Sequence, residues 1–152
     1  HYPLRRQRQM CIRDRFHGRY DIWGGDIDPR AVDIARDNAR KAGVDDCVRF
    51  EVADAAKFRR DSRYGQLVTN PPYGERLLEK KEAEDLYRMF GAALRDLPPK
   101  WRVLVLSSHT EFERCFGRPA DKKRKLYNGM IKCDYYMYTD NSRKNQKRDD
   151  KK

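Results

Sequence analysis

Apolar positions along this chain switch repeatedly between a period of two and a period near 3.6, and the switches predict an order of elements. Residues 20–23 form a short strand running into Gly24-Gly25-Asp26-Ile27-Asp28-Pro29, where the glycines permit a tight turn and close backbone approach to a ligand. Asp28 then Pro29 reads as an N-cap followed by proline at the first helical position. The helix carries Val32, Ala35, Ala39 and Ala42 on one face and stops at Gly43. Residues 47–52 alternate as a strand with Val48, Phe50 and Val52 on one side, and 58–65 is a polar connection. The apolar run 66–69 reads as a buried strand. Leu86, Met89, Phe90, Ala93, Leu94 and Leu97 predict a helix over 75–97, stopped by Pro98-Pro99, with Met89 and Phe90 in the core. Residues 101–108 read as a strand buried on both faces, 111–116 as a short helix closed by Gly117. Asn128-Gly129 signals a hairpin, and the strand after it places Ile131, Cys133, Tyr135 and Met137 on one side.

Strands alternating with helices imply a doubly wound α/β domain, with an antiparallel pair at its carboxyl end. The 152 residues suffice for one domain with a real core. Residues 1–19 are an irregular basic leader with neither periodicity, and 140–152 has the composition of a disordered tail. The formal net charge is +11 with 39% charged residues, and the tail supplies six Lys/Arg against three Asp, so the folded part stays basic. That favours a polyanionic partner, RNA or DNA. Cys11, Cys47, Cys115 and Cys133 are widely spaced, with no Cys-x-x-Cys pair and no histidine-rich cluster. The pattern suits reduced, buried thiols rather than a metal site. No apolar run approaches membrane-spanning length and no secretory signal opens the sequence, so a cytoplasmic protein without a membrane partner is expected.

The candidate chemistry lies just after residues 66–69, where the apolar run meets Asn70-Pro71-Pro72-Tyr73. Two prolines fix their own φ and hold the residue before each one extended, so the loop is rigid. At the carboxyl end of a strand it stands where open α/β sheets bind ligands. The Asn70 side-chain oxygen and the Pro71 carbonyl are two acceptors able to converge on one amino group, and the Tyr73 ring offers a flat base a stacking surface. An exocyclic base amine is a poor nucleophile because its lone pair is delocalised. Two acceptors on its hydrogens localise and aim that pair by positioning and electrostatics, without a strong base. An acidic residue closing a strand, as Asp26 does, suits a ribose diol, whereas Asp28 reads as a helix cap only. Arg76, Lys80 and Lys81, past the loop, are equally compatible with RNA phosphates and with a solvated helix face.

Asn70-Pro71-Pro72-Tyr73 resembles the catalytic loop of class I S-adenosylmethionine-dependent methyltransferases that act on base amino groups. With Gly74-Glu75-Arg76-Leu77 it is similar to the guanine-N2 branch that modifies large-subunit (23S) ribosomal RNA, related to the THUMP-containing RNA methylases. The resemblance implies a Rossmann-like methyltransferase sheet and assigns Asn70, Pro71, Pro72 and Tyr73 to catalysis. It assigns Asp26, Ile27, Asp54, Ala55 and Asn70 to S-adenosylmethionine: Asp26 to the ribose, Asp54 to the adenine amine and the Ala55 N–H to a ring nitrogen. Residues 20–139 then correspond to part of a catalytic domain. The family's glycine-rich turn and the helix and strand around it should precede residue 20, but no acidic residue with a Gly-x-Gly pattern stands there. The sheet is therefore expected to lack its first, central strand, leaving two strands with an unpaired edge. Adenine-N6 methylation of DNA or RNA, served by the same tetrapeptide, and a catalytically dead RNA-binding domain remain alternatives at this stage.

Overall fold

The computed structural model describes residues 21–74 and 77–139. The leader, the tail, Glu75 and Arg76 lie outside the described residues. The chain divides into two compact units, one ending at Asp54 and one beginning at Ala55, and each contains its own sheet.

In the first unit, β1 (Ile22–Asp26) and β2 (Val48–Val52) pair in parallel, from Ile22 opposite Val48 to Asp26 opposite Val52. The crossover between them is α1 (Pro29–Ala42). Its N-cap is Asp28, whose carboxylate accepts the Arg30 N–H at 2.9 Å. Its end is a left-handed Gly43 at φ 69°, where the Gly43 and Val44 N–H groups return to the Arg40 and Ala39 carbonyls. Gly24 and Gly25 lie inside β1 rather than in the expected turn, and neither has a positive φ. Packing explains Gly24: a Cβ there would stand 2.6 Å from the ring of Phe50, its cross-strand partner.

The second unit is a four-stranded sheet in the order β3-β4-β6-β5. β3 (Tyr64–Thr69) pairs in parallel with β4 (Lys100–Ser107), and β6 (Ile131–Tyr138) runs antiparallel to both β4 and β5 (Lys122–Asn128). The antiparallel carboxyl-terminal pair is thus where the sequence places it. A one-turn 3₁₀ segment (Ala55–Lys57) opens this unit. α2 (Leu77–Ala93) joins β3 to β4 and α3 (Phe112–Phe116) follows β4. Gly65 repeats the arrangement of Gly24: it pairs with Trp101, whose indole fills the space of a Cβ (2.5 Å) and whose Nε1–H donates to the Ser62 carbonyl at 2.7 Å. β3 therefore starts earlier than the apolar run suggests.

One face of this sheet is covered by α2 and α3. Ala83, Tyr87, Phe90 and Leu94 pack with Phe112, Cys115 and Phe116 onto Trp101, Val103, Val105, Tyr136 and Tyr138. Each large side chain buried there contributes on the order of 1.5–3 kcal/mol. The buried helical stripe is rotated from the expected one, so that Met89 is exposed and Tyr87, unremarkable in the sequence, is fully enclosed. On β6 the enclosed residues are Cys133, Tyr136 and Tyr138, because tyrosines can be buried when their hydroxyls find carbonyls. Tyr138 donates to the Arg118 carbonyl at 3.2 Å and Tyr136 to that of His109 at 3.5 Å.

The opposite face is less deeply buried among the described residues, with Leu104, Leu106, Tyr135 and Met137 half-buried. β3 is an edge strand whose outer residues, Tyr64 and Val68, are 73% and 64% exposed, so it is not the buried strand its composition suggests. β4 likewise buries one face fully and the other only in part. Among the described residues neither β1 nor β3 has a second strand partner.

Candidate active site

Asn70-Pro71-Pro72-Tyr73 leaves the carboxyl end of β3 as an irregular loop of the second unit. Asn70 and Pro72 are exposed, Pro71 and Tyr73 half-buried. The loop ends at Gly74 with φ 69°, where a Cβ would lie 2.6 Å from the Lys80 Cα, so the left-handed bend into α2 requires glycine.

Two buttresses fix the loop. The Tyr87 hydroxyl, rising from α2, donates to the Pro72 carbonyl. The Tyr87 ring is wedged edge-on against His109 (5.5 Å between ring centres) and Phe112 (4.9 Å). His109 is itself buried: its Nδ1 accepts the Glu111 N–H at 3.1 Å, its Nε2 makes no hydrogen bond, and the nearest Glu84 oxygen is 3.4 Å away. The second buttress comes from the β5–β6 hairpin. Asn128 Nδ2 donates to the Tyr73 hydroxyl at 3.2 Å, and Cys133 Sγ lies 3.5 Å from the same oxygen. Burial raises the Tyr73 pKa, the Cys133 thiol adds to the rise, and hydrogen bonds from Asn128 and Asn70 oppose it. Asn70 and Tyr73 thus lie close together within the loop. Tyr87, Asn128 and Cys133 were not singled out in the sequence. Tyr87 shares helical spacing with Ala83, Phe90 and Leu94, which could have found it. Asn128 was hidden by its place in a turn signal.

Pro72, Tyr73, Gly74, Glu79, Glu82, Ala83 and Leu86 line an open groove of ≈ 420 Å³ between the loop and α2.

In the first unit, Asp26 ends β1 and is exposed, with Oδ1 accepting the Asp28 N–H at 2.9 Å. A carboxylate has about four acceptor positions, so capacity for a diol remains. Ile27 beside it is 70% exposed. Asp28 bonds Arg30 through both oxygens, as a cap does. Asp54 follows β2 two residues beyond Val52, the partner of Asp26, so the parallel register brings both carboxylates to the same end of that sheet. Ala55 opens the second unit at the first residue of the 3₁₀ turn. A diol-accepting carboxylate and a second acceptor at one strand end are chemically suited to an adenosine. Among the described residues no group of His, Cys, Asp or Glu is placed to hold a metal, and no helix is long and apolar enough to cross a membrane.

The sequence that carries these strands, the carboxyl-terminal hairpin and the Asn-Pro-Pro-Tyr loop matches a family profile. The profile of UPF0020, the RMKL-like methyltransferase domain, covers residues 3–137. The chain belongs to that family. YpsC of Bacillus subtilis (strain 168), provisionally named an RNA methyltransferase, is 45% identical over 127 residues, which are 84% of this chain and 33% of YpsC. Ribosomal RNA large subunit methyltransferase K/L of Shewanella baltica (strain OS185) is 39% identical over 118 residues, 78% of this chain and 17% of the relative. The solved structure of SMU.472, provisionally named a methyltransferase and complexed with SAH, matches with TM-score 0.78 at 40% identity, covering 86% of this chain and 36% of that one. This member of the UPF0020 family thus spans about a third or less of the length of these relatives.

Proposed function

We propose that this chain carries the catalytic loop of an enzyme that methylates the exocyclic N2 amine of a guanine in large-subunit ribosomal RNA, using S-adenosylmethionine in the cytoplasm. When bound, that cofactor supplies an electrophilic methyl group. The Asp26 carboxylate accepts from its ribose hydroxyls, Asp54 from the adenine amine and the Ala55 N–H serves a ring nitrogen, with Ile27 an apolar surface beside them. Family membership and the SAH complex of SMU.472 support this cofactor. The K/L relatives and the +11 charge support an RNA substrate.

The observation that carries the reading is the loop at the carboxyl end of β3, buttressed by Tyr87 and Asn128, whose Asn70 side-chain oxygen and Pro71 carbonyl are the two acceptors. Those two oxygens take the hydrogens of the target amine, localise its lone pair and orient it. Tyr73 stacks the flipped base, and the Tyr87 bond to Pro72 keeps the acceptors from relaxing. Preorganised groups of this kind are worth roughly 10²–10³ in rate each. Asn70→Ala should therefore reduce methyl transfer by about that factor while leaving RNA affinity nearly unchanged. Parallel losses in both would count against the role. The acceptor pair suits any base amine, so mass spectrometry of the methylated nucleoside decides between N2-methylguanosine and N6-methyladenosine.

A further inference from the structure

We propose that the tip of the β5–β6 hairpin is a docking surface for single-stranded RNA, holding the nucleotides that flank the target base. In this surface Tyr127 stacks one flanking base, and Lys125 and Lys132 take phosphates on either side. The inference rests on the reading of Asn70-Pro71-Pro72-Tyr73 as a base-holding loop.

Three observations carry it. First, the tip adjoins the loop: Asn128, the last residue of β5, donates to the Tyr73 hydroxyl, and Cys133 on β6 lies against the same atom. Side chains alternate along the ribbon, so Tyr127 and Lys132 lie on the face opposite Asn128 and Cys133. A strand whose target base rests on Tyr73 meets them by crossing the edge of the hairpin tip. Second, those residues are exposed in a way that needs explanation. All seven residues of β5 face solvent, Tyr127 is 70% exposed, and Met130 at the turn is 98% exposed. Tyr127 stands directly across from Lys132, so their side chains share a face of the ribbon, and Lys125, two residues back, shares it too. An aromatic ring bracketed by cations suits a nucleobase between two phosphates. Third, the charge around the loop is divided. Glu79 and Glu82 border the groove that the loop forms with α2, whereas Lys80 and Lys81 between them are not among its lining residues. The groove itself therefore repels phosphate, while the helix there is neutral in sum. The run Lys122-Lys123-Arg124-Lys125 makes the hairpin flank cationic. Lys123 is committed to Glu113 at 2.7 Å, and Asp134 opposite Lys125 tempers that charge without cancelling the run. The hairpin flank is thus the more cationic of the two sides.

The test uses the 152-residue chain, a labelled single-stranded RNA oligonucleotide of mixed sequence and fluorescence anisotropy across a salt series. Tyr127→Ala should weaken binding roughly 5- to 150-fold, the equivalent of ~1–3 kcal/mol for a stacked base, with the salt slope unchanged. Lys125→Gln with Lys132→Gln should instead lower the slope of log K against log salt by about 1.4, since each single-strand phosphate contact contributes about 0.7. Arg40→Gln with Lys41→Gln, on α1, removes the same charge elsewhere and should change the slope by much less. Parent-like binding by the hairpin variants, or an equal effect from the α1 pair, overturns the hairpin surface and leaves the proposed function standing. A parent chain that binds no RNA at all overturns both.

Discussion

At the scale of single residues, the Tyr73 hydroxyl is the junction of the candidate site. Asn128 and Cys133 reach it from the β5–β6 hairpin, 55 and 60 residues away in sequence. The ring and the hydroxyl have separable duties: the ring offers stacking area, and the hydroxyl ties the loop to the hairpin through Asn128. Tyr73→Phe should therefore keep RNA affinity within about twofold yet lower kcat by roughly tenfold, the equivalent of a lost hydrogen bond of ~1.4 kcal/mol in alignment. Tyr73→Ala should raise KM as well. Single-turnover kinetics with RNA in excess, set beside anisotropy titrations, separates the two; a Phe variant that transfers methyl groups at the parent rate would remove the hydroxyl from the mechanism. The Asn-Pro-Pro-Tyr loop was legible in the sequence because prolines announce rigidity locally. Its buttresses were not, because Tyr87 and Asn128 reach it through contacts 15 and 55 residues away in sequence that no local pattern encodes.

At the scale of elements, close approach decides more than propensity does. Gly91 sits inside α2, where glycine is about 1 kcal/mol worse than alanine, so propensity alone predicts that Gly91→Ala stabilises the chain. The structure reverses the sign. A Cβ at Gly91 would lie 2.1 Å from the Phe116 carbonyl oxygen, a backbone atom that no rotamer change can move. Gly91→Ala should therefore destabilise by about 1–3 kcal/mol through the displacement of α3 from α2, read as a lower denaturation midpoint in urea. A higher midpoint would show that α3 shifts freely. α3 is also linked to the hairpin through Glu113, which accepts from Lys123 at 2.7 Å and from the Ala120 N–H at 2.7 Å. Burial raises the Glu113 pKa, but the Lys123 ammonium and the Ala120 N–H outweigh it and bring it below the ordinary carboxylate value. A carboxylate whose folded pKa is depressed stabilises the fold above its unfolded pKa and loses that contribution as pH falls through the folded value. The melting-temperature gap between the parent and Glu113→Gln should thus be present at neutral pH and close below the usual carboxylate range. A gap constant with pH would assign the role of Glu113 to packing. Element order, the α1 caps and the hairpin were readable from the sequence. The extents of β1 and β3 were not, because Gly24 and Gly65 look like turn residues until the aromatic partners that cover them, Phe50 and Trp101, are known.

At the scale of the whole molecule, two tendencies oppose each other. The net charge of +11 keeps copies apart, while β3 presents an edge without a second partner among the described residues, beside the exposed side chains of Tyr64 and Val68. Unpaired edges with apolar outer faces pair with other chains unless something prevents it. Here the chief restraint is long-range repulsion, which salt screens over a Debye length of about 10 Å at 0.1 M and about 3 Å at 1 M. Apolar and backbone contacts along β3 are not screened in this way. Self-association should therefore increase with salt, opposite to the salt response expected for RNA binding. Val68→Lys places a charge in the middle of the exposed face of an edge strand, where it meets no buried neighbour. It should suppress the salt-dependent association while leaving the melting temperature within about 2 °C of the parent, since exposed substitutions rarely move stability by more than ±0.5 kcal/mol. Sedimentation velocity at low and high salt measures the outcome directly. A parent chain that remains monomeric at high salt would mean that the β3 edge is already protected. Association that persists in Val68→Lys would move the contact to another surface.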